Sequence, residues 1–437
     1  MKSKFLLKLA IFCILASASS LPVMASDLNK LVLAVEDRVI EWRRDIHQHP
    51  ELSNRETRTA ALVADHLRTL GFDSVETGIA HTGVVGILKG ARPGPVVALR
   101  ADMDALPVTE QVDVPFASKV RTIHNGEEVG VMHACGHDAH TAILMGVAEV
   151  LASMRDEIAG TIKFIFQPAE EGAPIGEKGG ARLMIEEGVL DGEFAPQAIF
   201  GLHVGPDLVG RVAYRARGVM AAVDELRITV HGRQTHGALP WTGIDPIIVS
   251  AQILLGLQTI PSRQMDVTRA QSVVTVGSIR GGVRGNIIPN TVEMVGTIRT
   301  FDREMREDLI QRIDRTVTSI AESAGASADV EIIPGAPVTY NDPELTAQMV
   351  PSLRRAVGGS ELGHARIITV SEDFAFYQER IPGLYVFLGV NKAGVLLGQA
   401  PGNHSPFFYV NEDALKVGVN VLAMLALDYL ELNGSGE

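Results

Sequence analysis

The sequence predicts an α/β fold with a mixed, mostly parallel sheet, interrupted by a smaller α+β unit of ferredoxin-like order. Three observations predict it. Short, continuously apolar strands alternate with helical stretches up to about residue 205, the pattern of a sheet covered on both faces. Around Gly218 the strands change to strict apolar/polar alternation, which marks a half-buried antiparallel sheet. Beyond about Pro337 the first texture returns, so the middle segment is an insertion into one larger unit.

The elements follow in order. Residues 27–47 have a helical pattern that ends near Pro50. A second helix over 55–70 stops at Gly71, as expected of a C-terminal glycine. Residues 84–88 and 95–102 read as strands, 140–154 as a helix, 161–166 as a strand, 180–187 as a helix and 198–202 as a strand. In the insertion, 225–231 sets Leu226, Ile228 and Val230 against polar neighbours. A helix over 244–259, strands over 271–279 and 291–300, a helix over 303–324 and a strand over 328–333 complete it. Strand-helix-strand-strand-helix-strand is the ferredoxin-like order. A helix at 345–357, a strand at 383–388 and a helix at 412–432 close the outer unit.

Composition narrows the function. Of 437 residues, 46% are hydrophobic and 21% charged, so a large core can form, which argues against disorder. Acids outnumber Lys plus Arg by 52 to 39, a net charge of −13, which argues against nucleic acid and anionic membranes as partners.

Residues 1–25 read as a signal peptide. Lys2, Lys4 and Lys8 precede an apolar run over 9–16, and Val23-Met24-Ala25 gives a small-x-small cleavage site before Ser26. The run is short and broken by Ser17, Ser19, Ser20 and Pro22, so no stable membrane anchor is expected. Ile11 and Phe12 stand before Cys13 where a lipoprotein signal needs small residues. The expected location is periplasmic or secreted. Removing three lysines takes the net charge from −13 to −16. Of two cysteines only Cys135 then remains, so no intramolecular disulfide can form, and an exported lone thiol needs something to occupy it.

The richest segment is Met132-His133-Ala134-Cys135-Gly136-His137-Asp138-Ala139-His140. Cys135 and His137 lie two apart, so in an extended or turn segment both reach one ion, and Gly136 lets the backbone bend between them. His133 and His140 are open between ligands and ordinary loop residues, and Asp138 could cap the helix that follows. Glu170 and Glu171 follow an apolar strand, where open α/β sheets place ligands and catalysts. Neighbouring side chains diverge, so one carboxylate can bind metal while the other moves a proton between water and a leaving amine. His203 ends another apolar strand, and His404 lies in the polar loop Gly402-Asn403-His404-Ser405-Pro406; alone, each reads as an ordinary histidine. Asp102 and Asp104 end a further strand and could serve as ligands, as partners that orient histidines, or as turn residues. In the insertion, His236 and the glycine-rich loop 281–289 stand out. That loop lacks the strand-then-helix setting of a phosphate site, so nucleotide binding is rejected.

Taken together, the motifs at 132–140, Gln-Pro-Ala-Glu-Glu-Gly at 167–172, Gly-Leu-His at 201–203, Asn-Ile-Ile-Pro at 286–289, Ser-Glu-Asp-Phe at 371–374 and Gly-Asn-His-Ser-Pro at 402–406 resemble the aminoacylase/carboxypeptidase family of metallopeptidases. More narrowly, they resemble its hippurate hydrolase and indole-acetyl-amino-acid hydrolase subfamily, over nearly all of the mature chain. The resemblance implies a two-metal peptidase-like catalytic domain over 26–216 and 336–437, and an inserted dimerisation/lid domain over 217–335. It implies that Cys135, His137, Glu171, His203 and His404 hold two divalent ions per subunit. Mixed S, N and O donors suit zinc or manganese, with cobalt or nickel as alternatives. Glu170 would be the general acid/base, His236 would polarise the scissile carbonyl across a homodimer interface, and Asn286 would hold the substrate.

The implied activity is hydrolysis of the amide bond of an N-acyl amino acid, releasing a carboxylic acid and a free amino acid. Residues 173–180 are longer than the family pattern, which leaves substrate preference open. Dipeptidase or carboxypeptidase-like activity is the alternative. A thiol hydrolase using Cys135 would leave Glu170, Glu171, His203 and His404 idle, and against a metal-binding protein without catalysis the full set of acids and imidazoles on strand ends argues for an enzyme.

Overall fold

The computed structural model describes residues 21–391, 394–395 and 398–434, with 21–26 described in backbone only. Residues 1–20 of the predicted leader, Cys13 among them, lie outside the described residues.

The helices are α1 (Leu21–Gln48), α2 (Thr57–Thr69), α3 (His137–Ser153), α4 (Gly180–Glu186), α5 (Pro246–Thr259), α6 (Arg303–Ser323), α7 (Pro343–Ala356) and α8 (Leu415–Gly434). The principal strands are β1 (Ser74–Ile79), β2 (Gly83–Lys89), β3 (Arg92–Asp102), β4 (Ala159–Gln167), β5 (Ala198–Gly205), β6 (Val212–Tyr214), β7 (Ala222–His231), β8 (Ser272–Gly281), β9 (Thr291–Thr300), β10 (Ser327–Pro334), β11 (Leu362–His364) and β12 (Gly383–Gly389). They form an eight-stranded sheet in the order β1-β2-β4-β3-β5-β12-β6-β11 and a four-stranded sheet in the order β8-β9-β7-β10.

The large sheet is mixed. Its centre, β4, β3, β5 and β12, is parallel, while β1 and β2 add to one edge antiparallel. The apolar strands read from sequence are these central ones, and both of their faces are covered. On β3, Val97, Leu99 and Ala101 join the core under α1, α3 and α8, whereas Ala98 joins a second core with Met184 of α4, Phe374 and Tyr385. Helix α8 is buried nearly all round because it lies against α1, α3, α7 and the sheet, which explains its lack of a polar face. Because β3, β4, β5 and β12 run the same way, their carboxyl ends share one rim. Asp102, Gln167 and His203 stand there, at or near the ends of three neighbouring strands.

The smaller sheet is wholly antiparallel. Leu226, Ile228, Val230, Val274 and Met294 meet Ile253 and Leu257 of α5 and Leu309, Ile313 and Val317 of α6 in a separate core. The alternate residues Glu225, Arg227 and Thr229 face away from it. This is the alternation visible in the sequence.

One boundary differs in a way that matters. The helix expected from residue 140 starts at His137. Gly136, at φ 96°, is the left-handed residue before it, and a Cβ there would strike Val204.

Candidate metal centre

The loop before α3 brings Cys135 to the rim, and the early helix start fixes His137. The His137 Nδ1 lies 2.8 Å from the backbone oxygen of Asp104 and 3.2 Å from its carboxylate Oδ1. A carbonyl only accepts, so Nδ1 carries a proton, and in the neutral ring the lone pair is on Nε2. That Nε2 is fully buried and has no hydrogen-bond partner among the described residues. His203 is arranged likewise: Nδ1 donates to the Val204 carbonyl at 2.7 Å, and Nε2 lies 3.4 Å from Cys135 Sγ. His140 differs. Its Nε2 accepts from the Val204 N–H at 2.8 Å and its Nδ1 donates to Asp102 at 2.6 Å, so both nitrogens are used and neither is left to bind an ion.

Five clusters of acids, histidines and the thiol could hold an ion among the described residues, and two of them share Cys135. Cys135, His137 and His203 have donor atoms within 4.8 Å of one another, and so do Cys135, Glu171 and His404. Cys135 is common to both. Hydrogen bonds to Cys135 and Glu171 draw the His404 imidazole up to about 10, so this spot favours positive charge. Burial presses His203 down to about 3. One thiol, three imidazoles and a carboxylate suit a borderline divalent ion, and the unpartnered His137 Nε2 is a lone pair such an ion would take.

The acids behind this group are tightly held. Glu170 Oε2 lies 3.8 Å from His137 Nε2. Burial, then the charges of Glu372, Glu171 and Asp373, hold the Glu170 carboxyl well above the usual carboxylate value. Asp104 accepts the backbone N–H groups of Glu170 at 3.1 Å and Glu171 at 3.0 Å, and the Ser53 hydroxyl at 2.8 Å. The aspartates left open by sequence therefore act through their neighbours: Asp102 orients His140, and Asp104 orients His137 and the Glu170–Glu171 backbone. Asp138 does not cap α3; its carboxylate pairs with Arg43 at 2.7 Å and His47 at 2.8 Å. His133 is buried, pushed down to about 3 by that burial, with neither ring nitrogen partnered among the described residues.

His236 and Asn286 lie in the smaller sheet's periphery. His236 pairs with Ile287 in a two-residue ladder, and the Gly237 N–H donates to the Asn286 carbonyl at 2.8 Å, so the two residues are neighbours. His236 is exposed, and its Nδ1 accepts from the Ala238 N–H at 3.0 Å, which places its proton on Nε2. Neither residue contributes to the ligand groups found among the described residues. The structure thus brings together Cys135, His137, Glu170, Glu171, His203 and His404, and separately pairs His236 with Asn286.

The model of the peptidase family M20/M25/M40 matches residues 98–428. The chain belongs to this family. Among its relatives, "Thermostable carboxypeptidase 2" of Saccharolobus solfataricus is 41% identical over 411 residues, 93% of this chain and 99% of the relative. "N-acetylcysteine deacetylase" of Bacillus subtilis is 40% identical over 399 residues, 91% and 98% of the two chains. An IAA-amino acid hydrolase of Arabidopsis thaliana is 38% identical over 426 residues, 95% and 93%. A solved Bacillus subtilis structure, described as a dinuclear metal binding peptidase of the M20 family, superposes with a TM-score of 0.76 at 38% identity, covering 91% of this chain and 99% of that one.

This M20 protein is a hydrolase of linear amides. Its rim also holds residues that the sequence reading passed over. Arg100, almost fully buried, donates to Asp102 at 2.6 Å, Gln167 at 2.9 Å and Asp373 at 2.8 Å, and lies 3.1 Å from Glu372. The available signal was an arginine inside the apolar run Val96-Val97-Ala98-Leu99-Arg100-Ala101. A charge there needs buried partners. The long segment at 173–180 is anchored by Glu177, which pairs with Arg55 and Asn54, and leaves Ile175 88% exposed.

Proposed function

We propose that this M20 enzyme hydrolyses N-acyl amino acids to a carboxylic acid and a free amino acid, with two divalent ions per subunit held by Cys135, His137, Glu171, His203 and His404. The observation that carries this reading is the pair of ligand groups sharing Cys135, with the Glu170 carboxyl 3.8 Å from His137 Nε2. Bound ions would supply Lewis-acid polarisation and a more acidic water. Glu170 would act as general acid/base, moving a proton from the attacking water to the departing amine. The Nε2–H of His236 donates to the carbonyl oxygen as negative charge develops there. Asn286, beside His236, holds the substrate.

Exposed Ile247, Ile248 and Leu255 of α5, with Val273 and Ile279 of the edge strand β8, support a homodimer through the smaller sheet. Sedimentation of the purified protein checks this, and a monomer at micromolar concentration rejects it. Lys2, Lys4, Lys8 and the 23–25 cleavage pattern support export to the periplasm or medium; the exported form should begin at Ser26 when its N-terminus is sequenced.

The test of the activity is a screen of metal-loaded enzyme over aromatic and acetyl N-acyl amino acids and dipeptides, with elemental analysis of the same sample. N-acyl amino acids should be turned over best, at two ions per chain. The carboxypeptidase relative gives the contrary outcome its meaning: faster cleavage of peptides would overturn the N-acyl assignment.

A further inference from the structure

We propose that Glu56, which contributes to neither ligand group, is the residue that positions the Glu170–Glu171 pair. This rests on the roles given to those two acids above. Glu56 stands immediately before α2 and is fully buried. No cation pairs with it among the described residues. Its Oε1 accepts the backbone N–H of Asn54 at 3.0 Å and of Ala169 at 2.9 Å, and its Oε2 accepts the Thr82 hydroxyl. A buried carboxylate without a cation is costly, more so beside a second acid, Asp104.

The Ala169 contact gives that cost a purpose. Ala169 sits at φ 53°, in the left-handed region that favours glycine, and it directly precedes Glu170. Its N–H goes to Glu56, and the next two N–H groups go to Asp104. Two buried carboxylates from different elements thus capture three successive amides, and this sets the directions of the Glu170 and Glu171 side chains. Without an acceptor at Glu56, the Ala169 N–H would be buried unpaired and its backbone free to leave the left-handed region. Glu170 would then turn from His137, and Glu171 from His404.

The claim concerns reach rather than charge, and two conservative variants separate these. Glu56→Gln keeps the length and an oxygen for Ala169, while its amide can face Thr82, whose hydroxyl turns to accept. Glu56→Asp keeps the charge but draws the oxygens back by about 1.5 Å. The account predicts near-normal kcat, metal content and amide exchange over 168–171 for Glu56→Gln. For Glu56→Asp it predicts a kcat loss of about a hundredfold with little change in KM, weaker metal retention against a chelator, and faster exchange over 168–171. Adding Ala169→Gly to Glu56→Asp should recover part of the kcat, because glycine holds φ above zero without help. A purely electrostatic or stability role predicts the reverse order, with Glu56→Asp tolerated and Glu56→Gln impaired. That order, or Glu56→Asp with wild-type exchange and metal retention, would overturn the proposal. The exchange and metal measurements need no substrate, so they decide it even if no N-acyl amino acid proves to be cleaved.

Discussion

The histidines of the two sheets carry their protons on opposite nitrogens. At the rim of the large sheet, His137 and His203 are locked with the proton on Nδ1, by oxygen acceptors 2.8 and 2.7 Å away, which in the neutral ring leaves the lone pair on Nε2. In the separate two-stranded ladder of the inserted unit, His236 accepts at Nδ1 and carries its proton on Nε2. A lone pair serves a metal, and an N–H serves a developing oxyanion. The surroundings differ as well. His137 is buried and His203 half-buried, whereas His236 is exposed beside Asn286. Under the proposed function the difference becomes a division of labour, with a centre built in advance on the large sheet and donors that would act when substrate is present on His236 and Asn286.

Several variants would break or sharpen that division. The largest effect is expected from Glu170→Gln, which should lower kcat by about a thousandfold or more while elemental analysis finds the metal retained. Retained activity would remove Glu170 from proton transfer. Next, His236→Ala should cost about a hundredfold in kcat with metal content unchanged. If it instead stripped the metal, the two sheets would not divide the work as described. Asn286→Ala should act mainly on KM, by about tenfold, the loss of one hydrogen bond to a charged group. The smallest effect belongs to Ile175→Ser on the long 173–180 segment. Its side chain is exposed, so stability should stay within about 0.5 kcal/mol in thermal unfolding. Any change should appear only in the ranking of acyl groups.

How much of this was legible in the sequence depends on range. The central strands announced themselves by unbroken apolar runs, and the small sheet by alternation. Three-residue strands such as β6 and β11 are too short for any periodicity, and β1 mixes half-buried and exposed positions without alternating. The ligand residues stood out because their types are rare and their motifs specific. Their supports did not. Arg100 meets Asp373 across 273 positions, and Glu56 meets Ala169 across 113, so only folding reveals either partnership. Locally, Glu56 looked like one more acid at a helix start.

The early start of α3 has the same origin. Between two candidate ligands Gly136 bends the backbone, and its left-handed turn also begins the helix, which puts His137 on the helix and in reach of Asp104.

The central claim is that Cys135 is shared by two ion sites. Metal stoichiometry of wild type and Cys135→Ala, measured on the same zinc-loaded preparation after gel filtration, tests it most directly. The account predicts two ions per wild-type chain and weakened retention of both in the variant, since each ligand group loses the residue they have in common. A Cys135→Ala protein that keeps two ions would contradict it.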